Sequence, residues 1–330
     1  MILASLRAGG PDGTLVVVSR DRQRFVVPPA GPRTMQELMD AWDLSAPQLE
    51  DTFLELDDVT YGIPVDRVDF ASPLPRAYLW AEASGYLTHM ERIRSGRGEE
   101  LPPNHQSRPL VYQSGSDRHL DPHGTFSLTD PSWELDFEGT VVVVTGDIPA
   151  GGDIPAGAAG EDAVTAIRMV GMTNDLTYRR LLVEERRRGS GIFGSKPGRA
   201  HAPYLVTPAT LGQAWDDVLL RAHMACDVNG VRIGAPRADT DNDFDFRTVL
   251  NELVGQRGMP AGSIVGTGTV SNAASSAGYA CIAEKRAVEI AETGTATTPF
   301  LQAGDTVTLQ AVDDFGISLF GEIRQKITAN

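Results

Sequence analysis

The sequence predicts an α+β, β-rich protein: a mixed β-sandwich roll preceded by a small β domain. Three observations carry that prediction. Strand-like segments dominate the second half without the regular strand–helix alternation of a doubly wound sheet. The stretch Trp133–Gly146 alternates acidic and apolar residues and then runs through Val141–Val144, so it reads as one strand entering a buried sheet. Near the N-terminus, short apolar runs are separated by Gly9-Gly10-Pro11-Asp12-Gly13, which is turn chemistry.

Composition narrows the class. A chain of 330 residues has room for one large domain and a small one. The formal net charge of -15 would repel a nucleic-acid backbone or an anionic membrane, so neither is expected as a partner. Two cysteines, Cys226 and Cys281, make no disulfide framework, and their apolar neighbours predict buried, reduced thiols. The first residues lack the apolar core of a signal peptide, and no run approaches membrane length. The expectation is a cytoplasmic protein.

Taken in order, Ile2–Leu6, Gly13–Arg20 and Arg24–Pro28 are predicted strands. Thr34 caps a helix over 35–43, with Glu37 completing a capping box, and Ser45 caps a second over 46–56. The Pro-rich connector Ser72–Pro75 suggests a division into domains 1–70 and 71–330. Glu82–Ile93 reads as a helix with Glu82 and His89 on roughly one face. Pro109–Gln113 reads as a short strand, and His119 and His123 as loop residues. The hexapeptide Gly-Asp-Ile-Pro-Ala-Gly occurs twice in succession from Gly146 to Gly157 and predicts an exposed loop without a catalytic role. Glu161–Val170 and a segment opening at Thr173 read as helices, the second with Asp175 and Arg179 as an i,i+4 pair. Phe246–Arg257 is a helix, Gly262–Asn272 a strand entering a glycine turn, and Gly278–Glu284 a strand carrying one acid among apolar residues. Thr306–Val312 and Gly316–Ile327 are closing strands.

Several motifs fail on inspection. Asp239–Asp245 starts like a calcium loop but has Phe244 at position six and Leu250 at position twelve. The stretch Gly189–Pro197 is no phosphate loop, because Pro197 follows Lys196. No helix pattern follows Gly262–Thr269, so it is no dinucleotide fingerprint. On one continuous strand, Glu134, Asp136, Glu138 and Thr140 are expected to share a face. Clustered carboxylates repel, and a bound cation would relieve them; a solvated edge strand is the other reading. Lys196, held between Ser195 and Pro197, could donate to an oxyanion.

These pieces together resemble the fumarylacetoacetate hydrolase family from about Ala71 to Ile327. The resemblance rests on Asp136-Phe137-Glu138 before the valine run, Asn174-Asp175 with Arg179, Ser195-Lys196-Pro197, Gly262–Ser271, Gly278–Glu284 and Phe300–Asp305. Leu3–Leu6 and Gly13–Asp21 look like the small SH3-like barrel of the fumarylacetoacetase branch. The resemblance implies a homodimer acting on a small molecule and hydrolysing a carbon–carbon bond of a 1,3-dicarbonyl compound. It implies Mg2+, with Mn2+ or Ca2+ as alternatives, at Glu138, Asp175 and Glu82. It casts His89 and Glu284 as the water-activating pair and Lys196 and Arg179 as stabilisers of developing negative charge. Tyr112, Arg97 and Thr269 become substrate contacts. Three departures stand out. Thr140 falls where the family has a second strand carboxylate, Glu82 where the branch has Asp, and Leu182 where it has a polar amide. Thr140 therefore implies a metal held weakly or not at all, and a glutamate there is expected to strengthen the site. The alternative reading is a repurposed scaffold with metal-independent lyase, tautomerase, decarboxylase or cyclase chemistry, or a binding protein.

Overall fold

The computed structural model describes residues 1–58, 61–149, 163–189, 191–255 and 257–330. The strands of the main sheet are β1 (Ile2–Leu6), β2 (Thr14–Val18), β3 (Arg24–Val26), β4 (Ile63–Pro64), β5 (Trp80–Ala83) and β6 (Val111–Ser114). With β7 (His123–Leu128) placed elsewhere, they continue as β8 (Leu135–Asp136), β9 (Gly139–Thr145), β10 (Ile167–Tyr178), β11 (Gly198–His201) and β12 (Leu205–Val206). Two short strands, β13 (Trp215–Asp216) and β14 (Leu219–Leu220), form a separate ribbon. The rest are β15 (His223–Val228), β16 (Val231–Gly234), β17 (Ser263–Thr269), β18 (Thr306–Val312) and β19 (Ile323–Ala329).

The main sheet has twelve strands, ordered β4-β3-β2-β1-β12-β10-β9-β17-β5-β6, with β8 and β11 paired to β10. The second has five, ordered β16-β15-β18-β19-β7. All seven residues of β9 are buried, as the valine run predicts for a strand covered on both faces. Each such valine contributes roughly 1.5–3 kcal/mol relative to an exposed one. In contrast, β19 alternates buried and exposed residues, so its sheet has one wet face. The two sheets meet where Met224 and Leu309 close over Gly139, at the start of β9. The first four strands join the main sheet through the antiparallel β1–β12 pair, Ile2 opposite Val206.

Thr34 accepts from the Glu37 amide at 3.2 Å, and Glu37 reaches back to the Arg33 amide rather than to that of Thr34 itself. The next helix begins at Trp42, ahead of Ser45, and carries Pro47 in its first turns. The closing strand is shorter than its prediction, starting at Ile323. Both cysteines are buried free thiols.

Five further predicted elements change type or extent. Trp80–Ala83, including Glu82, is strand β5, and the helix begins only at Leu87. Pairing on both sides, with β17 and β6, outweighs the helical periodicity there. Ile167–Tyr178 is one long strand, not part of two helices, because it zips along the valine run of β9; the helix starts at Arg179. Asp175 and Arg179 are therefore not on one helix face. Gly278–Glu284 is not a strand: a helix spans Ile282–Thr293, and the Cys281 thiol accepts from the Glu284 amide at 3.4 Å at its start. The single strand read over Trp133–Gly146 is broken between β8 and β9, at Phe137 and Glu138. Of the duplicated hexapeptide, residues 150–157 lie outside the described residues.

Candidate active site and cation centre

The break between β8 and β9 separates two acids that a continuous strand would keep on one face. Asp136 turns to the start of the helix Ile282–Thr293, where its oxygens accept from the amides of Ile282 at 2.8 Å and Ala283 at 2.9 Å. A carboxylate at a helix N-terminus satisfies orphan amides and meets the positive end of the dipole. Glu138 turns the other way, toward Asp175 of β10 and Glu82 of β5. Oxygens of Glu82, Glu138 and Asp175 lie within 4.8 Å of one another, and all three side chains are buried.

Cations and hydroxyls surround these carboxylates. The Lys196 ammonium donates to Glu138 Oε2 at 2.5 Å and Asp175 Oδ2 at 2.6 Å. Arg179 donates from Nε to Asp136 at 2.8 Å, and its Nη2 lies 2.7 Å from Glu138 Oε1. Thr177 donates to Glu138 at 3.0 Å. The Tyr112 hydroxyl lies 2.6 Å from Asp175 Oδ2 and also contacts Glu82 Oε2, and its single proton serves one of the two at a time. Thr140 donates to Glu82 Oε1 at 3.0 Å. That last contact needs Gly266, which lies opposite Glu82 in the sheet. A Cβ there would stand 3.0 Å from the Thr140 methyl and 3.4 Å from Glu82 Cγ.

The charges sort the acids into two kinds. Burial works against ionisation everywhere, but Arg179 and Lys196 outweigh it at Glu138 and hold that carboxyl well below the usual range. Lys196 and Arg199 likewise outweigh it at Asp175 and lower that carboxyl. Glu82 has only Lys196, 4.0 Å away and already bound to Glu138 and Asp175. Burial, then the charge of Asp175, pushes it up to about 8.

A second cluster lies where two helices cross. Gly96 allows the helix Leu87–Arg97 to approach Ile282–Thr293, since a Cβ there would fall 2.7 Å from that of Ala287. One face of the first helix thus presents His89 and Arg92 to Glu284. His89 Nδ1 lies 2.8 Å from Glu284 Oε2, while Arg92 and Ser271 donate to Oε1 at 2.8 and 2.7 Å. Burial raises the Glu284 carboxyl, but these partners more than offset it and leave it lowered. Held ionised, Glu284 accepts from Nδ1–H, which leaves Nε2 with a free lone pair.

A cavity of about 340 Å3 unites the two clusters. Glu82, His89, Arg97, Tyr112, Glu138, Arg179, Lys196 and Thr269 line it; Asp175 and Glu284 stand behind them. All ten residues singled out from the sequence thus converge on one place. Arg179 is committed to Asp136 and Glu138 as well as lining the cavity. Sequence reading missed Arg92, Thr177, Ser271 and Arg199. Arg92 has a signal in retrospect, three residues after His89 on its helix. Arg199 has another, a charge in the short, fully buried strand Gly198–His201.

The donor set fits a hard divalent cation, which takes carboxylate oxygens. Lys196 stands between two of the three carboxylates, so a cation and its ammonium would compete for the same space.

Residues 79–328 match the family model described as fumarylacetoacetate (FAA) hydrolase C-terminal, and residues 1–76 that of fumarylacetoacetase N-terminal domain 2. No curated protein matches the chain. Among solved structures, the maleylpyruvate hydrolase of Sphingobium sp. SYK-6, in complex with manganese (II) ion and pyruvate, is similar at 16% identity and TM-score 0.66, covering 100% of each chain. The 5-carboxymethyl-2-hydroxymuconate delta-isomerase of Mycobacterium smegmatis matches at 17% identity and TM-score 0.61, over 100% of this chain and 99% of that one. The fumarylpyruvate hydrolase of Pseudomonas aeruginosa, in complex with Mn2+ and pyruvate, matches at 15% and 0.53, over 78% and 92%. At such identities the likeness is one of fold. Among the described residues, no helix is long and apolar enough to cross a membrane.

Proposed function

Since the chain belongs to the fumarylacetoacetate hydrolase family, we propose that it hydrolyses a carbon–carbon bond of a 1,3-dicarbonyl acid, with a divalent cation such as Mg2+ or Mn2+ held by Glu82, Glu138 and Asp175. The observation that carries the reading is the single cavity lined by both the acidic cluster and His89. A homodimer is part of the same proposal.

A hard cation at those carboxylates would supply Lewis-acid polarisation of the diketone. The chain's own residues do the rest. His89 Nε2 takes a proton from water as its oxygen attacks a carbonyl carbon, and Glu284 steadies the imidazolium that results. The carbon–carbon bond breaks, its electron pair stays on the departing α-carbon as an enolate, and the proton returns there. Lys196, once turned from the carboxylates, faces the developing negative charge. Arg179 keeps Glu138 ionised and oriented.

The cavity mouth adds a preference. Arg94, Arg97 and Arg186 line it, beyond an apolar belt of Met90, Ile93, Leu182 and Ile192. Burial, then repulsion from Arg179, pushes the Arg97 guanidinium down to about 10. The side chains of Arg97 and Arg186 make no hydrogen bond or ion pair among the described residues. The substrate that suits this arrangement has a chelating head, an apolar middle and a second anionic group at its far end.

A second reading is proton transfer without bond cleavage, as in an isomerase. The close seating of Lys196 on Glu138 and Asp175 favours it, because Lys196 and Tyr112 then face His89 as acid against base.

One experiment separates the two. Fumarylpyruvate, maleylpyruvate and simpler acylpyruvates are incubated with the protein, with Mn2+ and after chelation, and free pyruvate is measured. Pyruvate release that needs the cation supports hydrolysis. A change in the diketone absorbance without release, indifferent to chelation, supports the second reading. No change in any substrate sinks both.

A further inference from the structure

Arg199 lies behind the cation centre, on the side away from the cavity. In the sheet it is the cross-strand partner of Asp175, β11 against β10. Its Nε is 3.0 Å from Asp175 Oδ1, while Lys196 holds the other oxygen of that carboxylate at 2.6 Å. Arg199 is 3% exposed. It donates to the Gly115 carbonyl at 2.5 Å, and its guanidinium lies over the Trp80 ring, 4.6 Å from the centroid. Cation–π stacking and the carbonyl hold it in place, so it cannot swing away when a second cation arrives.

The charge balance follows. Four buried carboxylates (Glu82, Asp136, Glu138 and Asp175) face three cations (Arg179, Lys196 and Arg199) within one contact network. With Glu82 ionised, as it must be to ligate, one formal negative charge remains, and a divalent ion would overshoot it. Without Arg199 two would remain, which a divalent ion would match.

We infer that Arg199 is a positioning residue that loads Asp175 with positive charge from behind and thereby keeps the cation site weak and exchangeable. The inference rests on the proposed cation site. Its effect is opposite to that of a merely structural arginine: removing its charge should tighten binding.

The test is Mn2+ affinity, by calorimetry and electron paramagnetic resonance, for wild type, Arg199→Gln, Arg199→Met and Arg199→Lys. The Gln and Met variants should bind on the order of tenfold or more tightly, because a like charge a few ångströms from the ion is gone. The Lys variant, which keeps the charge, should stay within about threefold of wild type. Unchanged or weaker binding in folded Gln and Met variants overturns the inference, and so does a Lys variant as tight as Gln. If the neutral variants fold only with cation present, their melting temperatures should climb with Mn2+ more steeply than that of wild type. An equal or shallower climb counts against it. Binding that is present but equal in all four proteins defeats this inference alone. No Mn2+ binding in any of them defeats the cation reading as well.

Discussion

Replacing Thr140 with glutamate probes how the acidic residues share their space. Thr140 is fully buried and flanked in the sheet by Thr173 and Thr269. Its hydroxyl donates to Glu82 at 3.0 Å above the bare Gly266. A carboxylate sent from position 140 into the centre therefore meets the one from position 82. Above pH 8, where Glu82 is ionised, two like charges about 4 Å apart repel by roughly 4 kcal/mol at an effective dielectric of 20. The lost threonine hydrogen bond adds about 1 kcal/mol. Thr140→Glu alone should thus destabilise the fold by about 3–5 kcal/mol in the absence of cation. The expectation from sequence, that an acid at 140 strengthens the cation site, concerns the loaded protein; this cost falls on the cation-free one. Glu82→Asp alone pulls its carboxylate back by one methylene, loosens the contacts to Thr140 and Tyr112, and should cost about 1–2 kcal/mol. Together the two changes fit: the shorter acid at 82 makes room for the longer one at 140. The double variant should be more stable than the sum of the singles by about 2–3 kcal/mol. It should also bind Mn2+ more tightly than either single variant. The assay is urea unfolding followed by tryptophan fluorescence under chelator, for all four corners of the cycle. Additivity within about 0.5 kcal/mol would show that the side chains do not compete, and the compensation argument would fall.

Three further outcomes are expected. His89→Ala should lower the rate of the chemical step by about 10²–10⁴-fold with little change in ligand affinity; full turnover in the variant would remove His89 from the mechanism. Cation binding below pH 8 should release a proton, because Glu82, raised to about 8 by burial and Asp175, must ionise to ligate. Apparent Mn2+ affinity should accordingly rise with pH and level off above about 8, and calorimetry in two buffers of different ionisation enthalpy would expose a missing proton. His119 and His201 pack against each other, tilted, with ring centroids 4.5 Å apart, and burial lowers both, His119 to about 4. Their folded-state values lie below the unfolded one near 6.5, so stability is full above that pH and declines as pH falls toward 4. His119→Gln should flatten the fall in melting temperature between pH 7 and 5, and an unaltered slope would exclude the pair as its source.

Much of the fold was legible because its strongest signals are local. The valine run of β9 is buried on both faces as its composition demands, and Thr34 caps its helix. The failures came where pairing partners distant in sequence decided the state. Trp80–Ala83 and Ile167–Tyr178 carry helix-compatible periodicity, yet each lies between partners that satisfy its backbone groups. The site was legible as residue types through resemblance, while its arrangement was not. Nothing in the alternation of Asp136 and Glu138 says that the strand breaks between them. Thr140 and Glu82 stand 58 positions apart, so a hydrogen bond over Gly266 has no one-dimensional trace.

That break is what makes the two clusters one structure. Asp136 holds the first amides of the helix that carries Glu284, and Arg179 spans from Asp136 to Glu138. Lys196 then bridges Glu138 to Asp175, which Arg199 holds from behind. An unbroken line of charged contacts thus runs from the start of the Glu284 helix to the far side of the acidic centre. Were Glu138 and Asp136 on one continuous strand face, both acids would crowd the centre, and the helix would lose the carboxylate that caps its first turn. Arg179 could then serve one site or the other but not both. Placing it between the diverging acids lets one guanidinium orient an acid of the cation centre and anchor the helix that presents the base-supporting glutamate. The loss of Arg179 should therefore be felt at both places, whereas the loss of Lys196 leaves the helix anchored and disturbs the acidic centre alone.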